Sequence, residues 1–588
     1  MSSAAFRPPS THDIFFGVVS SRETPSSSPQ LHHHHHHHRR PRHPVAPKNT
    51  PLHSRLVTRI DYAALCDLPC KDPLLNNRLR EQLRWLTDPE KYSNVPVSGA
   101  DSCPSIDFSD KDITTLCEHG ILIPVDPAEV LGPVKLFAVY EITKNRRRVI
   151  KWPYVTNFSL GKAAIDPDMS ISGKKATLSL VLRGKYYADL DGAQFFDQMP
   201  LHPDVGRRMC CRHGDKYYRL GTNPMGLNIA VQCAQRTMQV IMSPPDLTCH
   251  TGVCVDNGIL VHETRAAVEK DLAAVLRRAE SVNCTIKDPE DIQVHTWGEW
   301  GGVAFDLSTK EVWLTDKISI KLELSWARRH QWSYRGFQAH VGLLSWAIGI
   351  LDLNMTEYFD VLRFISRVGF EMAEHPERWD EPINIWPSAM ASLTAWTNKC
   401  LDNQPHRLEP NNSSNLTWVV CTDACRFGWG YVALNIKTGE VRQHGERWRY
   451  SFFAAHHPTG ELGRSVFTEP HGLHNSLRHL LQPRPGEPKQ HVIVGTDNIA
   501  TRAGFARGYN SVSFSMNKCI EQTQKLYKDY YTFEFRYIAG SDNVHADAMS
   551  RGTSTSATRG HITDSLRQWA GVCDDNGLDD TTSSTSVE

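Results

Sequence analysis

The stretch that most constrains the fold is residues 185–201, KYYADLDGAQFFDQMPL. Its apolar and aromatic residues from Tyr186 to Leu190 predict a short strand that delivers Asp191 to its end. An aromatic residue, Phe196, follows five positions after that aspartate. We therefore expect a carboxylate at the end of a buried strand.

A second acidic stretch, residues 252–261, reads GVCVDNGILV. Its alternating apolar residues flank the pair Asn257–Gly258, which favours a hairpin turn because both turn residues must take positive φ. We predict that Asp256 lies at the tip of this β-hairpin. A strand-end carboxylate and a hairpin-tip carboxylate can share divalent metal ions, as two-metal phosphoryl transfer requires.

The two stretches resemble motifs A and C of reverse transcriptases, and residues 223–236, NPMGLNIAVQCAQR, resemble motif B. The wider resemblance is to retrotransposon polyproteins of the gypsy and DIRS types, over about residues 116–551. It implies a multi-domain α/β (α+β) fold. A right-hand polymerase of fingers, palm and thumb/connection would precede a ribonuclease H-like mixed α/β domain.

Two aspartates compete for the motif A position, Asp189 and Asp191. The family pattern, an aspartate with an aromatic residue five positions later, fits Asp191 and Phe196. Phe196 then corresponds to the steric gate, which implies deoxynucleotide substrates. In motif C, Asp256 corresponds to the first aspartate, whereas Asn257 replaces the second and brings no charge to a metal.

The same resemblance implies further substrate-binding residues. Arg148, in the basic run of residues 144–151, corresponds to the arginine that holds the triphosphate, although the run also fits a solvated turn. Gly226 of motif B would let the backbone approach a nucleotide, and Gln235 ends the motif as in relatives. Lys287 is either the motif D lysine that protonates pyrophosphate or a plain surface lysine.

A second acidic constellation follows residue 414. The segments TDACRFGWG, TEPHGL, GTDN and DNVHADAMSR place acids at strand ends and helix starts, and they resemble the catalytic set of retrotransposon ribonucleases H. These acids are Asp423, Glu469, Asp497 and Asp547. They and the palm pair would bind Mg²⁺ or Mn²⁺, two ions in each site.

Composition also predicts the domain boundaries and the cellular location of the protein. The 588 residues suffice for several domains, and the 65 Lys and Arg balance the 65 Asp and Glu. The 15 Cys lack a framework spacing and no signal peptide precedes them, so we expect an intracellular protein of the cytoplasm or nucleus, without a transmembrane segment. The predicted domains are a disordered basic and His-rich tail (1–55), an N-terminal extension (56–115), fingers and palm (116–310), thumb and connection (311–405), a ribonuclease H-like domain (414–552) and a disordered acidic tail (553–588).

The predicted function is RNA-directed DNA polymerisation with ribonuclease H activity. The predicted partners are an RNA template, a DNA primer, the RNA–DNA hybrid and deoxynucleoside triphosphates, with no membrane. Two alternatives stay open because Asn257 departs from the family. The chain is either a decayed retroelement protein that binds nucleic acid without catalysis, or a ribonuclease H whose polymerase half only clamps the hybrid.

Overall fold

The structure is a computed structural model that describes residues 45–47, 49–161, 166, 168–410, 412–449, 465–553 and 557–572. The described residues form two compact units of mixed α/β structure with several sheets. The N-terminal unit contains the described residues up to Thr315 together with Pro405–Leu408. The C-terminal unit contains Asp316–Gln404 and the described residues from Glu409 onward. The His-rich residues 32–38 lie outside the described residues.

Helices of the N-terminal unit begin after residues that cap them. Asp72 accepts a hydrogen bond from the Leu74 N–H ahead of Pro73, and Ser109 and Asp112 form a reciprocal capping box. The helices are α1 (Tyr62–Cys66), α2 (Pro73–Thr87), α3 (Asp110–Glu118), α4 (Tyr154–Leu160), α5 (Lys174–Val181), α6 (Pro203–Gly206), α7 (Ala230–Ile241) and α8 (Arg265–Ser281). A short 3₁₀ helix covers Phe195–Gln198.

The strands of this unit form separate small sheets. They are β1 (Leu122–Val125), β2 (Lys135–Glu141), β3 (Arg146–Trp152), β4 (Tyr186–Asp191), β5 (Cys210–His213), β6 (Lys216–Leu220), β7 (His250–Cys254), β8 (Asn257–His262), β9 (Trp297–Trp300), β10 (Val303–Asp306), β11 (Glu311–Leu314) and β12 (His406–Arg407). The sheet orders are β1-β6-β5, β2-β3, β4-β8-β7 and β12-β11-β10-β9. The third of these sheets carries both acidic stretches of the predicted palm.

One apolar core runs through the N-terminal unit. Leu79 of α2 and Leu116 of α3 are buried in the same cluster as Leu190 of β4 and Met238 of α7. The predicted N-terminal extension, residues 56–115, therefore folds as part of this unit and shares its core.

The C-terminal unit combines helices with one five-stranded sheet. Its helices are α9 (Asp316–Ala327), α10 (Tyr334–Ala347), α11 (Phe359–Glu374), α12 (Pro387–Asp402), α13 (Ser465–Leu480), α14 (Ile499–Arg507), α15 (Phe514–Tyr527), α16 (Val544–Ser550) and α17 (Arg559–Ala570). Its strands are β13 (Leu416–Ala424), β14 (Gly428–Asn435), β15 (Val441–Arg447), β16 (Gln490–Thr496) and β17 (Tyr531–Tyr537). The strand order is β15-β14-β13-β16-β17, with β13, β14 and β15 antiparallel and β13, β16 and β17 parallel.

Alternate residues of β13 point to opposite faces of this sheet. Trp418 and Val420 belong to the core beneath α13, α14 and α15, whereas Val419 and Cys421 belong to the core beneath α16 and α17. A strand buried on both faces explains the unbroken apolar run that precedes Asp423. The acidic site lies at the end of this central strand.

Two boundaries differ from the sequence-based expectation. Residues predicted to be a disordered N-terminal tail are bound to β3, because the Arg147 N–H donates to the Pro51 carbonyl at 2.8 Å. The predicted acidic tail contains α17, whose buried Ile562 and Leu566 pack on the sheet. Composition alone misread both segments, since a few apolar residues among polar ones suffice to dock them.

The boundary predicted at residue 311, between the palm and the thumb and connection (residues 311–405), is not where the two compact units divide. The division falls after Thr315, and the helices α9 to α12 belong to the same compact unit as the five-stranded sheet. Within the described residues, every helix is too short or too polar to cross a lipid bilayer.

Candidate metal-binding active sites

The sheet β4-β8-β7 brings Asp191 and Asp256 together. Asp191 is the last residue of β4 and pairs with Asn257, the first residue of β8. Asp256 lies in the turn that precedes Asn257, and its carbonyl accepts a hydrogen bond from the Gly192 N–H at 2.9 Å. The strand-end acid and the hairpin-tip acid thus meet, as the sequence pattern predicts.

The hairpin turn is not formed by Asn257 and Gly258, and this part of the prediction is wrong. Cys254 pairs with Asn257, so the turn residues are Val255 and Asp256, and Val255 takes the positive φ of 59°. The cause lies elsewhere in the fold. Gln235 of α7 accepts a hydrogen bond from the Val255 N–H at 2.6 Å and donates to the Val253 carbonyl at 3.0 Å.

The carboxyl pair is partly buried, and this raises the pKa of both groups. Burial and then the charge of Asp256 raise the pKa of Asp191 to about 6. Burial also raises the pKa of Asp256, and the two carboxyls share a hydrogen bond. The positive charge of Lys287 partly offsets the shift at Asp191. A divalent cation between the two carboxyls would offset the burial and the repulsion that raise these pKa values.

The competing motif A residue, Asp189, lies on the same face of β4 as Asp191 because side chains alternate along a strand. Burial raises its pKa, and the charged neighbours that act on it are His295 and Glu299. A cleft of about 300 Å³ is lined by both aspartates together with Lys287 and His295. The structure thus brings Asp191, and not Asp189, into contact with Asp256.

Lys287 and Arg148 approach this centre from two other elements. The Lys287 N–H donates to the Asp191 carbonyl at 2.8 Å. Arg148 of β3 lies 2.8 Å from the Met225 sulfur in the motif B turn, and its charge lowers the pKa of Asp256. Arg148 keeps a side chain that is 40% exposed, which leaves its guanidinium accessible to an anion.

The other predicted substrate-binding residues make contacts within the protein. Phe196 is only 9% exposed and belongs to the core. The Gln235 amide is fully buried and bonded to the hairpin backbone, and the Asn257 oxygen accepts from the Trp300 indole at 2.9 Å. A Cβ on Gly226 would lie 2.2 Å from the Lys151 carbonyl, so this glycine allows backbone to approach backbone. Gln235 and Gly226 therefore each position neighbouring backbone, and their nucleotide contacts stay predictions.

The second acidic centre lies at the carboxyl ends of β13 and β16, the adjacent parallel strands in the middle of the five-stranded sheet. Asp423 is near the end of β13, Glu469 is in the first turns of α13, and Asp497 directly follows β16. One carboxylate oxygen from each of these three residues lies within 4.8 Å of the others. Asp547 of α16 adds its negative charge, which raises the pKa of both Asp423 and Asp497.

Burial and mutual repulsion dominate the electrostatics of this centre. Burial, with the charges of Asp497 and Asp547, raises the pKa of Asp423 to about 7. Burial, followed by the charges of Asp423 and Asp497, raises the pKa of Glu469 to about 9. Carboxyls shifted upward in this way are stabilised by a cation in their midst.

The donor set fits a hard divalent cation. Glu469 uses one oxygen to accept from the Ala424 N–H at 3.4 Å, while its other oxygen is buried without a hydrogen-bond partner. Asp423 accepts from the Ser550 hydroxyl at 2.6 Å, and Asp547 accepts from the Arg551 guanidinium at 2.9 Å. Carboxylate oxygens are the ligands that Mg²⁺ and Mn²⁺ prefer.

Sequence reasoning missed residues that orient these acids. Ser550 and Arg551 stand in the segment DAMSR that was used to place Asp547. The spacing of four residues would have predicted the contact of Arg551 with Asp547, whereas the contact of Ser550 with the distant Asp423 has no local signal. The buried ion pair between Lys151 and Asp197, at 2.5 Å, joins β3 to the 3₁₀ helix after β4. No local signal marks that pair, because its members are far apart in the sequence.

No family model and no curated protein matches the chain. Solved structures of the foamy viral protease-reverse transcriptase are similar to it. The dRH form in complex with double-stranded DNA has a TM-score of 0.43 and 12% identity, over 83% of each chain. A second complex with double-stranded DNA has a TM-score of 0.42 and 13% identity, over 82% of this chain and 98% of that chain.

The complex of that protein with an RNA/DNA hybrid has a TM-score of 0.41 and 14% identity. The match covers 82% of this chain and 64% of that chain. With TM-scores below 0.5, these likenesses establish no family membership.

Proposed function

We propose that this chain is an RNA-directed DNA polymerase joined to a ribonuclease H, encoded by a retroelement of the gypsy or DIRS type. It copies an RNA template from a DNA primer with deoxynucleoside triphosphates and degrades the RNA of the resulting hybrid. One observation carries the proposal: each unit gathers buried or partly buried carboxyls from separate elements, Asp191 with Asp256 and Asp423 with Glu469 and Asp497. Clusters of this kind are unfavourable without a cation, and they suit two-metal phosphoryl transfer.

In the C-terminal unit, Asp423, Glu469, Asp497 and Asp547 would hold the divalent ions. When bound, such ions activate water and stabilise the attacking and leaving oxygens of a phosphodiester. Ser550 fixes the Asp423 carboxylate by donating to it, and so leaves the other oxygen of that carboxylate for a ligand. The sheet order, with the acids at the ends of adjacent parallel strands, supports the ribonuclease H interpretation.

In the N-terminal unit, Asp191 and Asp256 would hold the ions, which lower the barrier to attack by the primer 3′-hydroxyl when bound. Arg148 would bind the triphosphate through its planar guanidinium. Lys287, bonded through its backbone to Asp191, would donate a proton to the leaving pyrophosphate. Gln235 would act through the hairpin, since it holds the turn that carries Asp256.

Primer extension on an RNA template tests the polymerase half. The unchanged chain should extend a DNA primer with deoxynucleotides and Mg²⁺ or Mn²⁺. Asp191→Asn should lower the rate by roughly 100-fold or more, the scale on which removed charge stabilisation acts. Asp189→Asn is the matched control and should retain most activity. If Asp189→Asn abolished extension and Asp191→Asn did not, the assignment of the metal-binding aspartate would be reversed.

Cleavage of a preformed RNA–DNA hybrid tests the second half. Asp497→Asn should remove cleavage, because one of the three converging carboxylates is lost. Asp542→Asn changes an exposed acid in the loop before α16 and should cleave at the unchanged rate. Equal loss in both variants would contradict the proposed site.

A second candidate function is a ribonuclease H whose N-terminal unit only clamps the hybrid. Asn257 favours it, because its amide oxygen already accepts from the Trp300 indole and leaves two carboxylates in the palm. Asn257→Asp discriminates between the candidates. It should raise the extension rate of a working polymerase, whereas hybrid cleavage without extension by either form would establish the clamp.

A further inference from the structure

The N-terminal unit contains a segment, residues 49–61, that we call the strap. At its start, the Arg147 N–H donates to the Pro51 carbonyl at 2.8 Å, and the His53 N–H donates to the Arg147 carbonyl at 2.7 Å. At its end, the Ile60 N–H donates to the Gln198 carbonyl at 2.8 Å. The strap therefore connects β3 to the 3₁₀ helix that follows Asp191.

His53 is the strap residue that reaches the polymerase site. Its Nδ1 atom lies 3.1 Å from Nη1 of Arg146, and its Nε2 atom lies 2.7 Å from the side-chain amide of Gln194. The Arg146 guanidinium and the Gln194 amide nitrogen, which is the atom placed 2.7 Å from Nε2, can only donate, whereas a neutral ring accepts at one nitrogen. We assign the acceptor to Nδ1 and the ring proton to Nε2, which donates to Gln194 when the amide is rotated so that its oxygen faces the ring. His53 thus forms a neutral bridge from β3 to the residue three positions after Asp191.

The bridge lies beside the metal-binding pair. The positive charge of Arg148 acts on His53 and also lowers the pKa of Asp256. Arg146 and Lys144 add positive charge near His53, and Glu141 adds negative charge. Arg146 is paired with Glu141, so Arg148, whose charge also reaches Asp256, is the cation placed for a polyanion that also binds metal, which is the chemistry of a nucleoside triphosphate.

Gln194 occupies a constrained position within this surface. It takes a left-handed backbone with φ of 47°, and it precedes the buried aromatic pair Phe195 and Phe196. A non-glycine residue in this conformation requires contacts that hold it. The contact between the Gln194 side-chain amide and the His53 ring is one such contact.

We propose that His53 is a positioning residue for the incoming nucleotide, acting through Gln194 and Arg146 to hold the triphosphate side of the polymerase site. This inference rests on the proposed polymerase function. It assigns a role to a segment that composition would dismiss as a disordered tail. The strap is accordingly part of the nucleotide site.

Single-nucleotide extension by the full chain tests the proposal, with KM for the deoxynucleotide and kcat measured separately. His53→Ala should raise KM about five- to ten-fold, the effect of one lost hydrogen bond, and should change kcat by about twofold at most. Gln194→Ala should give a similar shift. The double variant should be no worse than either single variant, because both remove the same link.

Two further variants separate positioning from a general loss of structure. His53→Asn keeps a donor and an acceptor at this position and should recover part of the KM. Ser54→Ala is the matched control, since it removes the neighbouring strap bond to His119 at 2.7 Å and should leave both constants unchanged.

An unchanged KM in His53→Ala would overturn the inference while leaving the polymerase intact. Equal KM increases in His53→Ala and Ser54→Ala would also overturn it, because the strap would then act only through its fold. A chain that extends no primer would remove the proposed polymerase function and this inference with it.

Discussion

Single carboxyls in the C-terminal unit are tuned by burial more than by any partner. The pKa of Glu469 rises to about 9 and that of Asp423 to about 7, and one oxygen of Glu469 has no hydrogen-bond partner. In the unfolded chain both groups ionise near pH 4. Without metal, the stability they contribute is therefore fully present below about pH 4 and is lost as pH rises through about 7 and about 9.

Glu469→Gln should remove the larger part of this pH dependence. The amide keeps the shape of the side chain but cannot ionise, so the metal-free variant should melt higher than the unchanged chain at alkaline pH, by about 2–4 °C for each kcal/mol regained. Calorimetry across the pH range measures this, with exposed Glu487→Gln as control. A metal-free melting temperature that falls equally with pH in both variants would contradict the account.

At the residue scale, the sequence locates carboxyls better than it locates their partners. Asp191, Asp423 and Asp497 each follow an apolar strand, and the structure places each at a strand end. In the structure, Gly226 and Gln235 contact segments that are distant from them in the sequence. Those contacts follow from packing, which no local pattern encodes.

At the scale of elements, the motif B turn rests on β3 at one glycine. A Cβ at Gly226 would come within 2.2 Å of the Lys151 carbonyl oxygen, and the Gly226 carbonyl accepts from Asn157 at 2.7 Å. The turn therefore contacts both β3 and α4. This contact couples the position of Arg148 to that of motif B.

Gly226→Ala should destabilise the N-terminal unit by about 1–3 kcal/mol, because backbone atoms must shift to accept the methyl group. Extension should slow as Arg148 moves. Chemical denaturation and primer extension measure the two effects. Gly99→Ala is the control, because nothing lies within 4 Å of the added methyl group, and it should be neutral. Full stability in Gly226→Ala would show that the close approach is not required.

The helix α17 is a second element whose importance composition conceals. Leu566 is 3% exposed and joins the core on one face of the sheet. Leu566→Ala should cost about 2–5 kcal/mol, whereas Gln568→Ala on the exposed side should cost little. Denaturant unfolding of the full chain distinguishes them. Equal, small costs would mean that α17 is not part of the folded unit.

At the scale of the whole molecule, the division into two units gives each acidic centre its own scaffold. Asp191 and Asp256 lie on a three-stranded sheet. Asp423, Glu469 and Asp497 lie where the central strands of a five-stranded sheet end. The mixed α/β structure with several sheets that the sequence predicts is confirmed. The sequence does not predict that residues 56–115 share the core of the first unit, because that core is built from contacts distant in sequence.

The central claim is that the chain holds two independent metal-dependent active sites. The most direct measurement labels the DNA primer and the RNA template in one reaction and compares the unchanged chain with Asp191→Asn and Glu469→Gln. The account predicts that Asp191→Asn loses extension and keeps cleavage of a supplied hybrid, and that Glu469→Gln loses cleavage and keeps extension. Loss of both activities in either variant, or of neither, would contradict it.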